Sequence, residues 1–167
     1  QMMPNRKIHP GDLLIGLPST GLHTNGYSLA RKVLLARYDV DDHVDDLGMS
    51  VGDALLSIHK SYLPILNAVL DAKWLVGISH ITGGGIVENT MRVLDKNQKL
   101  SIDWDAWERP AIFRLIQELG NVPENDLRQS MNLGIGMILI IKPDGFSHLK
   151  SHLATEGEAY IQLGTVS

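Results

Sequence analysis

The chain has 167 residues, the length of one domain, and enough to bury roughly two thirds of the surface its unfolded form exposes. Hydrophobic residues at 44% and charged residues at 20% exclude a disordered or fibrous chain. A net charge of −4 argues against a dedicated nucleic-acid binder, and the lack of cysteine excludes disulfides, thiolate nucleophiles and cysteine-ligated metal sites.

No apolar run reaches the roughly 18 residues of a membrane span. The expectation is a single domain over 1–167, of cytoplasmic location, with no nucleic-acid or membrane partner. Gln1 is not an initiator, and the polar lead-in Met2-Met3-Pro4-Asn5-Arg6-Lys7 fits either the downstream part of a longer protein or a trimmed tag.

Leu13 to Leu17 is a short apolar run between Gly11-Asp12 and Pro18-Ser19, and reads as a buried strand. A loop follows to Thr24, with Asn25 as the expected N-cap of a helix ending near Tyr38. Asp39 to Gly48 reads as a solvated acidic loop, without the ligand spacing of a calcium loop. Helices are predicted over Gly52 to Ile58 and Tyr62 to Ala72, then a strand over Trp74 to Ile81 closed by Thr82-Gly83-Gly84-Gly85. A helix through Ile86, Val87, Met91 and Leu94 follows, then a strand over Lys99 to Asp103 and a helix from Pro110 to Leu119. Pro123 to Met131 reads as a helical turn or two, Ile135 to Ile141 as a long apolar strand, Phe146 to Ala154 as a helix and Ala159 to Leu163 as the last strand. Strands and helices mix without strict alternation, which predicts an α+β domain: a layered mixed sheet with flanking helices.

Two glycine-bearing turns lie between a predicted strand and a predicted helix, where unpartnered amides and the helix dipole suit an anion. In the first, Gly21-Leu22-His23-Thr24-Asn25-Gly26-Tyr27-Ser28, the two glycines have Walker A spacing, but Tyr27 stands at the lysine position and the P-loop reading fails. The second is His80-Ile81-Thr82-Gly83-Gly84-Gly85, whose three glycines point to an anion site or to close backbone contact.

Among the histidines, His23 and His80 sit in these turns and are the acid–base candidates. The alternative for each is an imidazole that bonds a loop carbonyl and shapes the turn. His9, His43, His148 and His152 read as solvated, and His59 interrupts a polar stretch with no partner in view. Trp104 and Trp107 read as core or interface residues, and no nucleophile-elbow sequence is present.

Taken together, Gly11 to Leu17, Gly21 to Leu29, Ala54-Leu55-Leu56, His80 to Asn89, Pro110 to Phe113, Gly120-Asn121-Val122 and Asn132 to Met137 resemble the C-terminal domain of the aminoimidazole ribonucleotide synthetase (phosphoribosylformylglycinamidine cyclo-ligase) family. They occur in that family's order and cover nearly the whole chain. The resemblance implies an ATP-dependent ring closure in purine synthesis: formylglycinamidine ribonucleotide becomes aminoimidazole ribonucleotide, with ADP and phosphate released. It implies catalytic roles for His23 and Asn25 and phosphate or substrate contacts by Gly26, His80, Thr82, Gly83, Gly84 and Gly85. Asn132 and Arg128 are further candidates, and no metal ligand is assigned.

On the same resemblance, ATP and Mg belong mainly to an N-terminal domain absent from these residues, the phosphorylated ribonucleotide and that domain are the partners, and the full-length protein is a homodimer. Sister families of the same two-domain design include thiamine-phosphate kinase and selenophosphate synthetase. Two stretches depart from the cyclo-ligase pattern. Ser57-Ile58-His59-Lys60-Ser61-Tyr62 stands where the family has Thr/Ala-Pro-Thr-Arg before an aromatic, and Arg128-Gln129-Ser130-Met131 where it has Tyr-Arg-Thr-Phe. A non-catalytic paralogue that binds a phosphorylated metabolite or a partner protein is the alternative.

Overall fold

The computed structural model describes residues 6–167; the start of the lead-in, Gln1 to Asn5, lies outside them. The elements in chain order are β1 (Leu13–Pro18), α1 (Tyr27–Leu34), β2 (His43–Val44), β3 (Met49–Ser50), α2 (Val51–Leu55), α3 (Leu63–Asn67) and β4 (Leu75–His80). There follow α4 (Gly85–Met91), β5 (Leu100–Ile102), α5 (Ala111–Gly120), α6 (Glu124–Ser130), β6 (Ile135–Ile141), α7 (Phe146–Thr155) and β7 (Ile161–Val166). The predicted α+β class holds. The sheet has five strands in the order β4-β6-β1-β7-β5, and neighbours are antiparallel at every junction rather than mixed in direction.

Every residue of β6 is buried, because the strand carries apolar side chains on both faces. Met137, Leu139 and Ile141 face a cluster with Ile65 and Leu66 of α3 and Leu149 and Leu153 of α7. Ile138 and Ile140 face the opposite cluster, with Leu14, Val76 and Ile86. This is the period-two alternation of a strand covered on both sides. A third cluster, built from Ala30 and Leu34 of α1, Phe113 and Ile116 of α5 and Leu127 of α6, forms the helical wall beyond the sheet.

Several boundaries differ from the sequence reading, each for a physical reason. Gly26, in the left-handed region at φ 78°, caps α1 in place of Asn25, whose side chain is engaged elsewhere. That helix stops at Leu34, and a further turn carries the chain to Tyr38, whose N–H donates to the Leu34 carbonyl. Within the acidic loop, His43 and Val44 pair with Ser50 and Met49 in a short hairpin. The last strand runs on to Val166: Gly164 pairs with Ile102, and a β-carbon there would lie 1.8 Å from the Ser101 carbonyl oxygen. Close strand contact, not a strand stop, is what that glycine serves.

The last two glycines of the triplet, Gly84 and Gly85, have different reasons for being glycine. Both take positive φ, 105° at Gly84 and 67° at Gly85. A β-carbon on Gly85 would sit 1.8 Å from the Arg128 carbonyl oxygen, which is backbone of α6 and cannot swing aside. On Gly84 the nearest atoms it would meet are those of the Glu88 carboxylate, at 2.6 Å, the end of a flexible side chain. Gly85→Ala should therefore cost about 3 kcal/mol or more, and Gly84→Ala about 1–2 kcal/mol from backbone strain. Urea unfolding of the two variants checks this order; equal losses would place the α4–α6 contact elsewhere.

Candidate functional site

β1 and β4 both pair with β6, so both point the same way and deliver their following turns to one end of the sheet. There the two turns are joined: the N–H of Gly83 donates to Asn25 Oδ1 at 3.0 Å. Asn89, buried on α4, organises the second turn from within. Its Nδ2 donates to the carbonyls of Thr82, Gly83 and Gly85 at 3.2, 3.3 and 2.8 Å, and Thr82 Oγ1 donates to its Oδ1 at 3.0 Å. Turning these carbonyls toward Asn89 leaves the outer side of the turn to amides and side chains.

His23 lies beneath that junction, only 3% exposed and at φ 55°, a backbone state that costs a non-glycine residue of order 1–3 kcal/mol. It approaches β6 because position 136 is glycine, where a β-carbon would lie 2.7 Å from His23 Cε1 and 2.1 Å from Tyr62 Oη. Tyr62 is held in turn by donating to the Pro18 carbonyl at 2.8 Å. The N–H of Thr20 donates to His23 Nε2 at 3.2 Å, so in the neutral ring the proton resides on Nδ1. That Nδ1 is buried and has no hydrogen-bond partner among the described residues. Burial, and next the nearby charges of His59, His80 and Lys60, push the His23 pKa down to about 4.

His59 is not the isolated residue the sequence reading made it. The Ile58 carbonyl accepts from Thr20 Oγ1 at 2.6 Å, which lays the loop over the first turn. His59 stacks on His23 with ring centres 3.9 Å apart, and its ring centre is 5.5 Å from that of His80. Burial and His59 also lower the His80 pKa. Sequence spacing carried no signal of this, because the three imidazoles come from separate segments. His152 likewise is not simply solvated, since its Nε2 lies 3.0 Å from the Ile65 carbonyl.

The other candidates have structural employment. Asn132, 2% exposed, donates to the Gly21 carbonyl at 2.9 Å and accepts from Ser19 Oγ and the Gly134 N–H at 3.0 and 2.8 Å. Its side chain shapes the first turn and has little left for a ligand. Arg128 lies over the Trp104 ring, 4.0 Å from its centre, and donates from Nε to Glu124 at 2.5 Å. A hydrogen bond from Arg109, against the opposing effect of burial, and further bonds from Arg128 and Gln117 hold the Glu124 carboxyl near pKa 2. Gly84, Val87, Glu88, Trp104, Arg128 and Gln129 line an adjoining groove of about 600 Å³. Glu88, which pairs with Arg92, brings negative charge to the rim of that groove beside Gly84. With the Gly83 amide bonded to Asn25 and the Gly85 amide to the Thr82 carbonyl, the triplet offers an anion fewer free amides than its sequence suggests.

A buried imidazole with a protein-facing acceptor nitrogen, a donor nitrogen unused among the described residues and a hydrogen-bonded partner turn mark a candidate polar site at the junction of two strand–helix turns. The chain belongs to the family described as AIR synthase related protein, C-terminal domain, whose model matches residues 9–167. It is 38% identical over 168 residues to a phosphoribosylformylglycinamidine cyclo-ligase of Thermoanaerobacter sp. (strain X514), covering 99% of this chain and 50% of that protein. It is 42% identical to the protein of that name from Shouchella clausii, covering 99% of this chain and 49% of the other. The chain thus spans about half the length of the curated relatives it matches. The fold is shared with thiamine-monophosphate kinase from Stenotrophomonas maltophilia K279a, at TM-score 0.63 and 14% identity, covering 99% of this chain and 50% of that one. It is also shared with E. coli HypE, a hydrogenase maturation protein, at TM-score 0.62 and 16% identity, covering 99% and 46%. Among the described residues no helix is long and apolar enough to cross a membrane.

The depressed pKa of His23 has a signed consequence. The unfolded imidazole titrates near 6.5 and the folded one near 4, so between these values the unfolded chain binds more protons. The contribution of His23 to stability is complete above about pH 6.5 and declines as the pH falls toward 4. An NMR titration should find the His23 ring neutral down to about pH 5; a midpoint near 6.5 would show that its burial is not maintained in solution.

Proposed function

We propose that this chain forms one wall of the active site of a two-domain, ATP-dependent cyclo-ligase that converts formylglycinamidine ribonucleotide to aminoimidazole ribonucleotide. The observation that carries the reading is the bond between Asn25 and the Gly83 amide, which makes one site of the two turns most like the family's. The relatives' printed name supports the reaction, and the half-length match supports a second domain that supplies the rest of the cleft.

In this reading His23 acts as a neutral donor. Its Nδ1–H, which has no hydrogen-bond partner among the described residues, donates to an oxygen of the bound substrate, as a neutral imidazole does when its basicity is suppressed. Asn25 positions the glycine turn, while His80 and the outer edge of Thr82 to Gly85 contact the ribonucleotide beside Gly26. Arg128, already neutralised in part by Glu124, contributes its remaining guanidinium N–H groups to the groove. ATP held by the other domain would supply the activating phosphoryl group. Imidazoles and amides are poor Mg²⁺ ligands, which are chiefly oxygens, so no Mg²⁺ step is assigned to these residues. The apolar side chains of Leu56 and Ile58, 80% and 86% exposed beside the site, form the surface that the N-terminal domain covers. A homodimer and a cytoplasmic location belong to the same proposal.

The alternative, binding of a phosphorylated metabolite without turnover, draws on Gln129, which is exposed and uncharged in the segment where the family has arginine. The two readings separate in the full-length protein. Its turnover of formylglycinamidine ribonucleotide with ATP should be measurable, and His23→Ala should reduce kcat by about 10². The 167-residue chain alone should show no turnover. Substrate binding without turnover by the full-length protein would favour the alternative, and near-normal kcat in His23→Ala would remove His23 from the reaction.

A further inference from the structure

We infer that His23, His59 and His80 form a binding site for one late first-row divalent cation such as Zn²⁺. One ring nitrogen from each can be chosen so that all three lie within 4.8 Å of one another. Tetrahedral coordination at the usual Zn–N distance of about 2.0–2.1 Å brings nitrogens to roughly 3.4 Å apart, so the trio must contract modestly. The side chains are placed to allow it. His23 is fixed and buried, whereas His59 is half-buried on a loop and His80 is exposed at the end of β4, so the latter two swing toward the first.

A second observation points to a ligand independently of the clustering. The Nδ1 of His23, in a side chain 3% exposed, has no hydrogen-bond partner among the described residues. Buried polar atoms are rarely left in that state, which makes this nitrogen available to a ligand. The rings of His59 and His80 accept and donate no hydrogen bond to the described protein atoms, so their nitrogens are also available. Binding requires two adjustments: His59 leaves its stack on His23, and the His23 proton moves from Nδ1 to Nε2, at the expense of the Thr20 N–H bond. Lys60 adds an unfavourable charge nearby, but its ammonium is paired with Glu158 at 2.5 Å.

Three imidazoles without a carboxylate make a donor set suited to Zn²⁺, Ni²⁺ or Cu²⁺ rather than to Mg²⁺ or Ca²⁺. Three imidazoles leave a fourth position of a tetrahedral ion to water or to a ligand atom, the arrangement of three-histidine sites that keep one exchangeable position. His59 lies in the stretch where the chain departs from the cyclo-ligase pattern, so the third donor is a feature of this chain. A metal on His23 Nδ1 takes the nitrogen that the proposed function gives to a substrate oxygen, so the two are alternative occupancies of one atom, and the test reads metal binding alone.

Metal-free chain titrated with Zn²⁺ at neutral pH should bind one equivalent with a Kd in the micromolar range or tighter by calorimetry, and Co²⁺ at the same site should develop visible d–d absorption of four-coordinate intensity. His59→Ala and His80→Ala, both at exposed or half-exposed positions and checked for fold by circular dichroism, should each weaken Zn²⁺ binding at least tenfold. Failure of the wild-type chain to bind one equivalent would overturn the proposal. Binding unchanged in both variants would also overturn it, by placing the metal on the surface histidines instead.

Discussion

The double-sided burial of β6 is the constraint on which the rest of the molecule depends. A seven-residue strand with apolar side chains on both faces must lie inside the sheet and be covered above and below. Once β6 is interior, β1 and β4 flank it, both antiparallel to it, and so run in the same direction as each other. Their exits then fall together at the end of the sheet where β6 begins. The adjacency of His23 and His80 is therefore a product of strand order, whereas His59 is brought to them by the loop that Thr20 bonds at Ile58. Glycine at position 136 completes the arrangement by leaving room on β6 for Tyr62 and His23.

The polar layer above the sheet is organised by two buried asparagines. Asn132 gathers the first turn and Asn89 the second, each through bonds to backbone groups that loops leave unpaired. Asn25 then connects the turns. Burial and the neighbouring imidazoles favour the uncharged forms of His23 and His80, since protonating either places a cation beside its neighbours and away from water. Charged pairs stand around this group, in the Glu124 network with Arg109 and Arg128, in the Glu88–Arg92 pair and in the Lys60–Glu158 pair.

Much of this was legible in the sequence where one physical cause dominates. Ile135 to Ile141 is a strand because nothing in it suits an exposed face, and Ile112, Leu115, Ile116 and Leu119 define a helix by their spacing. Local signals failed where distant contacts decide. Asn25 has the chemistry of a helix cap, yet its side chain reaches Gly83 and leaves the cap to Gly26. The last strand reads as ending at Leu163 until β5 is laid against Gly164. Gly85 resembles part of a phosphate cradle, but its missing β-carbon makes room for the Arg128 carbonyl. The role of His59 was invisible, since no spacing rule connects it to His23. Asn89 and Asn132 were visible as letters a few residues from glycines, and their carbonyl-gathering role could have been anticipated from the number of unpaired backbone groups such turns contain.

The central claim is that the two turns form one ligand site with the unused Nδ1–H of His23 inside it. A crystal structure of the full-length protein with formylglycinamidine ribonucleotide bound tests that most directly. The account predicts a substrate oxygen within about 3.2 Å of His23 Nδ1, with the Asn25–Gly83 bond retained. A bound ribonucleotide that leaves this nitrogen unpartnered and touches neither turn would contradict it.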